Sequence, residues 1–228
     1  MPTLKMIQHV FLHEELSKKM IDVNETLRTL APTRPVFHSE ADFQHALAWH
    51  IHNRYPKLKV RLEYRPARID RKIYIDIWLQ HDEDLYAIEL KYKTRRLSTS
   101  VHGESFDLLD QSAQDCARYD VCKDVSRVES LSPSYPGITG CVVFLTNDPG
   151  YWRRSSRDGT TDADFRLHEG AELSGTLSWK DHASPGTTKG RDDPITLSRK
   201  YAVRWMDYSN VGGSSGRFRY LILATRSS

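Results

Sequence analysis

IYIDIWLQHDEDLYAIELKYKT, residues 73–94, reads as two short apolar strands joined by a polar turn. Each strand carries charge in its middle: Asp76 in the first, Glu89 and Lys91 in the second. Side chains alternate between the two faces of a strand. Ile73, Ile75, Ile77 and Leu79 therefore share one face of the first strand, and Tyr74, Asp76 and Trp78 the other. In the second strand Tyr86, Ile88, Leu90 and Tyr92 form one face, and Ala87, Glu89 and Lys91 the other. Paired as a hairpin, the strands bring Asp76, Glu89 and Lys91 to one patch beside Tyr74 and Trp78.

Such a patch has a chemical use. Mg²⁺ is a hard, oxygen-seeking ion, commonly held by one or two carboxylates with water and phosphate completing its shell. It polarises a phosphate and lowers the pKa of a bound water. An ammonium two residues from a carboxylate lies on the same strand face, where it can orient that water and offset anionic charge. Without the ion the carboxylates repel each other, so at least one pKa rises. An ordinary edge hairpin also exposes Glu and Lys on one face, and the E-x-K pair alone does not separate the two readings. The apolar neighbours of all three charges favour a site.

The flanking chain predicts a mixed α and β domain. Residues 4–30 carry an imperfect helical stripe (Met6, Val10, Leu16, Met20, Val23, Leu27, Leu30), and Ala31-Pro-Thr-Arg-Pro35 breaks it. Ser39, with Asp42 three residues on, caps a helix running to about Asn53. A strand follows over 58–65, ahead of hairpin strands at 73–79 and 85–92. A basic loop containing Ser and Thr then leads to a second long helix, about Phe106 to Glu129. Cys141 to Thr146 is a continuous apolar run, as in a strand covered on both faces. After Pro149 the chain becomes rich in Ser, Thr, Gly and Asp. It carries strand-like pieces at 172–179, a loop at 180–194, and strands at 195–205 and 217–225. The expected division is an N-terminal helical extension (1–35), a core (36–150) and a strand-rich C-terminal extension packed on the core (151–228).

Asp76 and Glu89-Leu90-Lys91 together resemble the motif of the PD-(D/E)xK nuclease superfamily, which includes restriction endonucleases and many repair nucleases. In that family an Asp on one strand is followed, after a variable gap, by Asp/Glu-x-Lys on the next. The proline that precedes the Asp in the family is Ile75 here. The family commonly carries an acid on the helix before the core strands, and Glu40 matches it; an acid there also simply complements the helix dipole. The helix after the core strands sometimes adds a Gln or a basic residue, and Gln111, Gln114 and Arg118 lie along one side of it. The resemblance covers about residues 36–147.

The resemblance implies an α/β fold with a restriction endonuclease-like core, a mixed central β-sheet flanked by helices. It implies a nuclease that hydrolyses phosphodiester bonds, of DNA ahead of RNA, in restriction, repair or defence. Asp76, Glu89 and the Leu90 carbonyl would bind Mg²⁺ or Mn²⁺, Lys91 would position the attacking water, and Glu40 would assist. Lys93, Arg95, Arg96, Gln114, Arg118, Arg153 and Arg154 are the expected nucleic-acid contacts. The competing reading is a catalytically inactive nucleic-acid-binding or assembly module on the same fold. A homodimer is compatible with either.

Composition sets outer bounds. The 228 residues are 39% hydrophobic, enough for a sizeable core, and the formal charge of +3 is too mild to name a partner. The knots Lys91–Arg96 and Arg153–Arg157 favour a polyanion more than the net charge does. Three cysteines without C-x-x-C spacing argue against a disulfide framework or structural zinc, and suit a reducing compartment. With no long apolar run, no membrane partner is expected, and the expected location is the cytoplasm. Of the remaining motifs, Tyr151-Trp152-Arg153-Arg154 reads either as base-stacking aromatics with phosphate-pairing arginines or as a core plug, and Asn147 as turn chemistry.

Overall fold

The computed structural model describes residues 21–70, 72–157 and 159–225. Most of the helix expected over 4–30 lies outside those residues. Its described end is helix α1 (Val23–Leu30), whose first turn is capped by Asp22 accepting the Glu25 N–H at 3.1 Å. Helix α2 (Glu40–Arg54) starts where Ser39 Oγ accepts the Asp42 N–H at 3.1 Å, as the sequence predicts.

Strands β1 (Lys59–Tyr64), β2 (Ile75–His81) and β3 (Asp84–Lys93) form an antiparallel meander. Strand β6 (Thr139–Thr146) lies parallel to β3, then β10 (Arg217–Ala224) and β9 (Trp205–Asn210) add antiparallel strands. The result is one mixed six-stranded sheet, in the order β1-β2-β3-β6-β10-β9. The protein is thus a mixed α/β structure with helices on both faces of a mixed central sheet. The last two strands of the C-terminal region are part of this sheet. Phe218 and Tyr220 of β10 enter one core and Leu221 and Leu223 the other, so this strand is needed to cover the far edge of β6.

The loop expected after residue 92 is a second hairpin, β4 (Leu97–Val101) with β5 (Glu104–Leu108), turned at His102 and Gly103 with φ of 51° and 82°. The second long helix accordingly begins later than expected: α3 spans Gln114–Glu129. Phe106 and Leu108 point inward from a strand, and their spacing of two is that of a strand face. A short helix α4 (Pro149–Trp152) follows β6. The small sheet β7 (Glu172–Leu177) with β8 (Ile195–Ala202), and a one-turn helix α5 (Pro185–Thr188) between them, complete the chain. Pro185–Thr188 orders part of the segment expected to be loop.

Two cores result. Helices α1 and α2 and the β4–β5 hairpin pack on the face that carries Ile77, Leu79, Ile88, Leu90 and Tyr92. Helix α3 and the β7–β8 sheet pack on the face that carries Trp78, Ala87, Val142 and Phe144. One residue departs from simple alternation. Ile75 belongs to the α3-side core, opposite Ile77 and Leu79. Glu63, between the pairs Leu62–Ile77 and Tyr64–Ile75, has φ of 47°, and this distortion turns the chain over at Asp76. Among the described residues no helix is long and apolar enough to cross a membrane.

Candidate functional site

The ladder between β2 and β3 stops at Ile77–Ile88. Carried one step further, that register sets Asp76 opposite Glu89, but β2 no longer supplies backbone partners to β3. Two carboxylates take over that duty. Asp76 Oδ2 accepts the Leu90 N–H at 2.6 Å, and Glu40 Oε2 accepts the Tyr92 N–H at 2.7 Å. Gln44 of α2 braces the bend, donating to the Asp76 carbonyl at 2.8 Å and to Glu63 at 2.7 Å. The Leu90 carbonyl leaves the strand on the same edge as its N–H, while its side chain is buried in the opposite core.

Asp76, Glu89, Lys91 and Glu40 line one pocket of about 200 Å³. Its other wall is a face of α3, where Asp120, Lys123, Asp124 and Arg127 recur at helical spacing. Lys91 Nζ lies 3.2 Å from Asp124 Oδ2 and 4.0 Å from Glu40 Oε1. The first contact is an ion pair without hydrogen-bond alignment, since that buried oxygen accepts no hydrogen bond. Arg127 bridges Glu89 (3.0 Å) and Asp124 (3.1 Å). Asp120 turns away to Arg191, 2.8 Å distant.

Inside the pocket, five carboxylates (Glu40, Asp76, Glu89, Asp120, Asp124) meet three cations (Lys91, Lys123, Arg127) in formal charge. The excess of two negative charges is that of one divalent cation. Burial, with Asp124 and Glu40 nearby, pushes Asp76 up to about 6 despite the Leu90 amide and Lys91. Burial, then repulsion from Asp124 and Asp76, pushes Glu89 up to about 9, and Arg127 only partly offsets this. Burial also raises Asp124 against the pull of Lys91 and Arg127. Burial works against the Lys91 ammonium, but Asp124 and Glu40 outweigh it and hold the group protonated. Hard oxygen donors carrying surplus buried negative charge are a donor set that suits Mg²⁺ or Mn²⁺. Among the described residues no three acids, histidines or cysteines are gathered as a finished clasp; Lys91 and Arg127 hold the carboxylates instead.

The expected nucleic-acid contacts are placed elsewhere. Gln114 and Arg118 project from the side of α3 opposite Asp120, Asp124 and Arg127. With Arg95, Arg153 and Arg154 they line a separate, larger cleft of about 930 Å³. Arg118 is only 3% exposed and is fixed by Asp162 at 2.6 Å and the Gly150 carbonyl at 2.8 Å, so it serves as a strut inside the protein. Gln114 is tied to Asp148. Lys93 and Arg96 line neither cavity. Gln111 bonds the Thr94 backbone. Asn147, read as turn chemistry, is a buried clamp joining Arg95 to the Ser215 carbonyl. Tyr151 is the core plug of the two readings, packed edge-on to Phe144. Tyr74 and Trp78 do not line the acid pocket. Tyr74 is exposed, and Trp78 is buried between Tyr64 and Tyr135.

Asp124 and Arg127 were not singled out from the sequence. The signal was present as the charged stripe 120/123/124/127 on a helix with buried neighbours, but nothing local says which face meets the sheet. No family model matches the chain, and no curated protein or solved structure matches it either.

Proposed function

We propose that the chain is a metal-dependent nuclease with a restriction endonuclease-like core of the PD-(D/E)xK type. One observation carries the reading: Asp76, Glu89, Lys91 and Glu40, distant in sequence, share a pocket whose carboxylates outnumber its cations by one divalent charge. Asp76, Glu89 and the Leu90 carbonyl are the residues that would hold Mg²⁺ or Mn²⁺. The ion would supply neutralisation of the phosphate and a more acidic water. Lys91, protonated and held by Asp124 and Glu40, orients water and offsets charge at the scissile phosphate rather than accepting a proton. Glu40 fixes the edge of β3 and one side of Lys91. Exposed Arg95, Arg96, Arg153 and Arg154, together with Lys93, would contact the phosphate backbone, of DNA ahead of RNA, with salt-sensitive affinity.

Arg127 against Glu89 favours a second reading, an inactive nucleic-acid-binding module whose acids are already neutralised. The two separate by incubating labelled DNA and RNA with Mg²⁺ or Mn²⁺. The nuclease reading expects cleavage that falls by about 100-fold or more in Glu89→Ala and Lys91→Ala, the usual worth of a group acting on developing charge. Equal cleavage by wild type and both variants refutes it. Binding without cleavage by any of the three supports the inactive module.

A further inference from the structure

The cleft on the far side of α3 has a chemistry of its own. Its acids are all engaged within the protein. Asp162 takes Arg118 and Arg166, at 2.6 and 3.1 Å. Asp148 takes Gln114 and the Gly150 N–H, Asp110 the Arg96 N–H at 2.9 Å, and Asp115 the Cys116 N–H at 2.8 Å. Three of its arginines are not. Arg153, Arg154 and Arg157 are exposed and have no ion-pair partner among the described residues. Behind them Arg166 is pushed below its ordinary value by burial and then by Arg118, which its pairing with Asp162 only partly offsets.

Two further features point the same way. The N-terminus of α3, a sixteen-residue helix, opens into this cleft at Ala113 and Gln114 with no side-chain cap. Asp115 takes the Cys116 N–H, and the helix dipole with the preceding amides of the first turn favours an anion. The lining includes the hydroxyls of Ser155, Ser156 and Thr161 but no aromatic ring, so a base has nothing to stack on. Arginine forks, hydroxyls and helix amides together match the oxygens of a phosphate.

We infer that this cleft is a phosphate-binding site, distinct from the acid pocket, which takes a phosphate group through Arg153, Arg154 and the N-terminus of α3 irrespective of the attached base. It deepens the reading of Arg153 and Arg154 as backbone contacts, and rests on that reading only for the identity of the polymer. A free phosphate ester and the phosphate of a strand share this chemistry.

The test is calorimetry in EDTA with inorganic phosphate, a nucleoside monophosphate and a short single-stranded DNA. Arg153→Ala/Arg154→Ala is compared with Lys59→Ala, an exposed cation of β1 outside the cleft, and with Asp76→Asn. Phosphate should bind the wild type. The double variant should weaken binding by about tenfold or more, the worth of a charge-assisted hydrogen bond, while Lys59→Ala and Asp76→Asn leave it unchanged. The two removed arginines have no internal partner, so the variant should fold, which circular dichroism checks. Displacement of phosphate by DNA names a strand as the occupant, and binding of the monophosphate without such displacement names a small ester; either supports the site. No binding of phosphate at tens of millimolar, or equal binding by the double variant, overturns it. Phosphate binding by a wild type that never cleaves would leave this inference standing and the nuclease reading refuted; cleavage without phosphate binding would do the reverse.

Discussion

Glu89→Gln should stabilise the protein in the absence of divalent ions, and by an amount that grows with pH. Glu89 is 2% exposed and its carboxyl is pushed up to about 9 from an ordinary 4.5. An acid whose pKa is raised on folding contributes stability that is complete below its unfolded pKa and is lost as pH rises through the folded one. The window here runs from about 4.5 to about 9. At pH 7.5 the folded chain retains a proton that the unfolded chain releases about three units lower, a ceiling of roughly 4 kcal/mol at 1.4 kcal/mol per unit. Sharing of the proton with Asp124 and Asp76 reduces the expected effect to about 1–3 kcal/mol. Glutamine keeps the shape and has no proton to lose, and Arg127 retains Asp124 at 3.1 Å. Urea unfolding in EDTA at pH 5 and pH 7.5 measures the difference. The variant should match the wild type at pH 5 and exceed it at pH 7.5. Added Mn²⁺ should then stabilise the wild type but not the variant. Parallel pH slopes, or a variant less stable at pH 7.5, would mean that the ionised Arg127–Glu89 pair is net favourable and would refute the reasoning.

Asp124→Asn leaves Lys91 only the 4.0 Å contact with Glu40, so single-turnover cleavage should fall by about 100-fold while the circular dichroism spectrum is unchanged. Gly140→Ala places a Cβ 2.4 Å from the Ala87 carbonyl oxygen on the neighbouring strand; urea unfolding should show a loss of about 2 kcal/mol or more, because backbone cannot give way there. Asp162→Ala strands the buried Arg118, which keeps its bond to the Gly150 carbonyl. A loss approaching 3–5 kcal/mol in the same assay is expected, with a smaller one for Asp162→Asn.

Local pattern carried the reading furthest where one face of an element is buried. Alternation in residues 73–94 gives both hairpin strands, and Ser39 marks the start of α2 to the residue. The unbroken run Cys141–Thr146 is a strand buried on both faces, parallel to β3. What escaped depends on partners far along the chain. Nothing in Arg217–Ala224 says that it completes the central sheet beside β6 rather than covering it. Phe106 and Leu108 have the two-residue period of a strand, but the hairpin that uses it shows only once Leu97–Val101 pairs with them across the His102–Gly103 turn. In the candidate site, the sequence nominated Asp76, Glu89, Lys91 and Glu40, which the fold gathers. It also nominated Gln114 and Arg118, which the rotation of α3 carries to the opposite side.

The carboxylates that close the open edge of β3 have a practical consequence. The amides of Leu90 and Tyr92 are each bonded to a single side chain, Asp76 and Glu40 respectively. Their nitrogen and proton frequencies in solution should therefore follow the charge and position of those two groups, one acid per amide. An ion or a strand entering the pocket becomes visible as two backbone resonances, with no turnover needed and no label at the site itself.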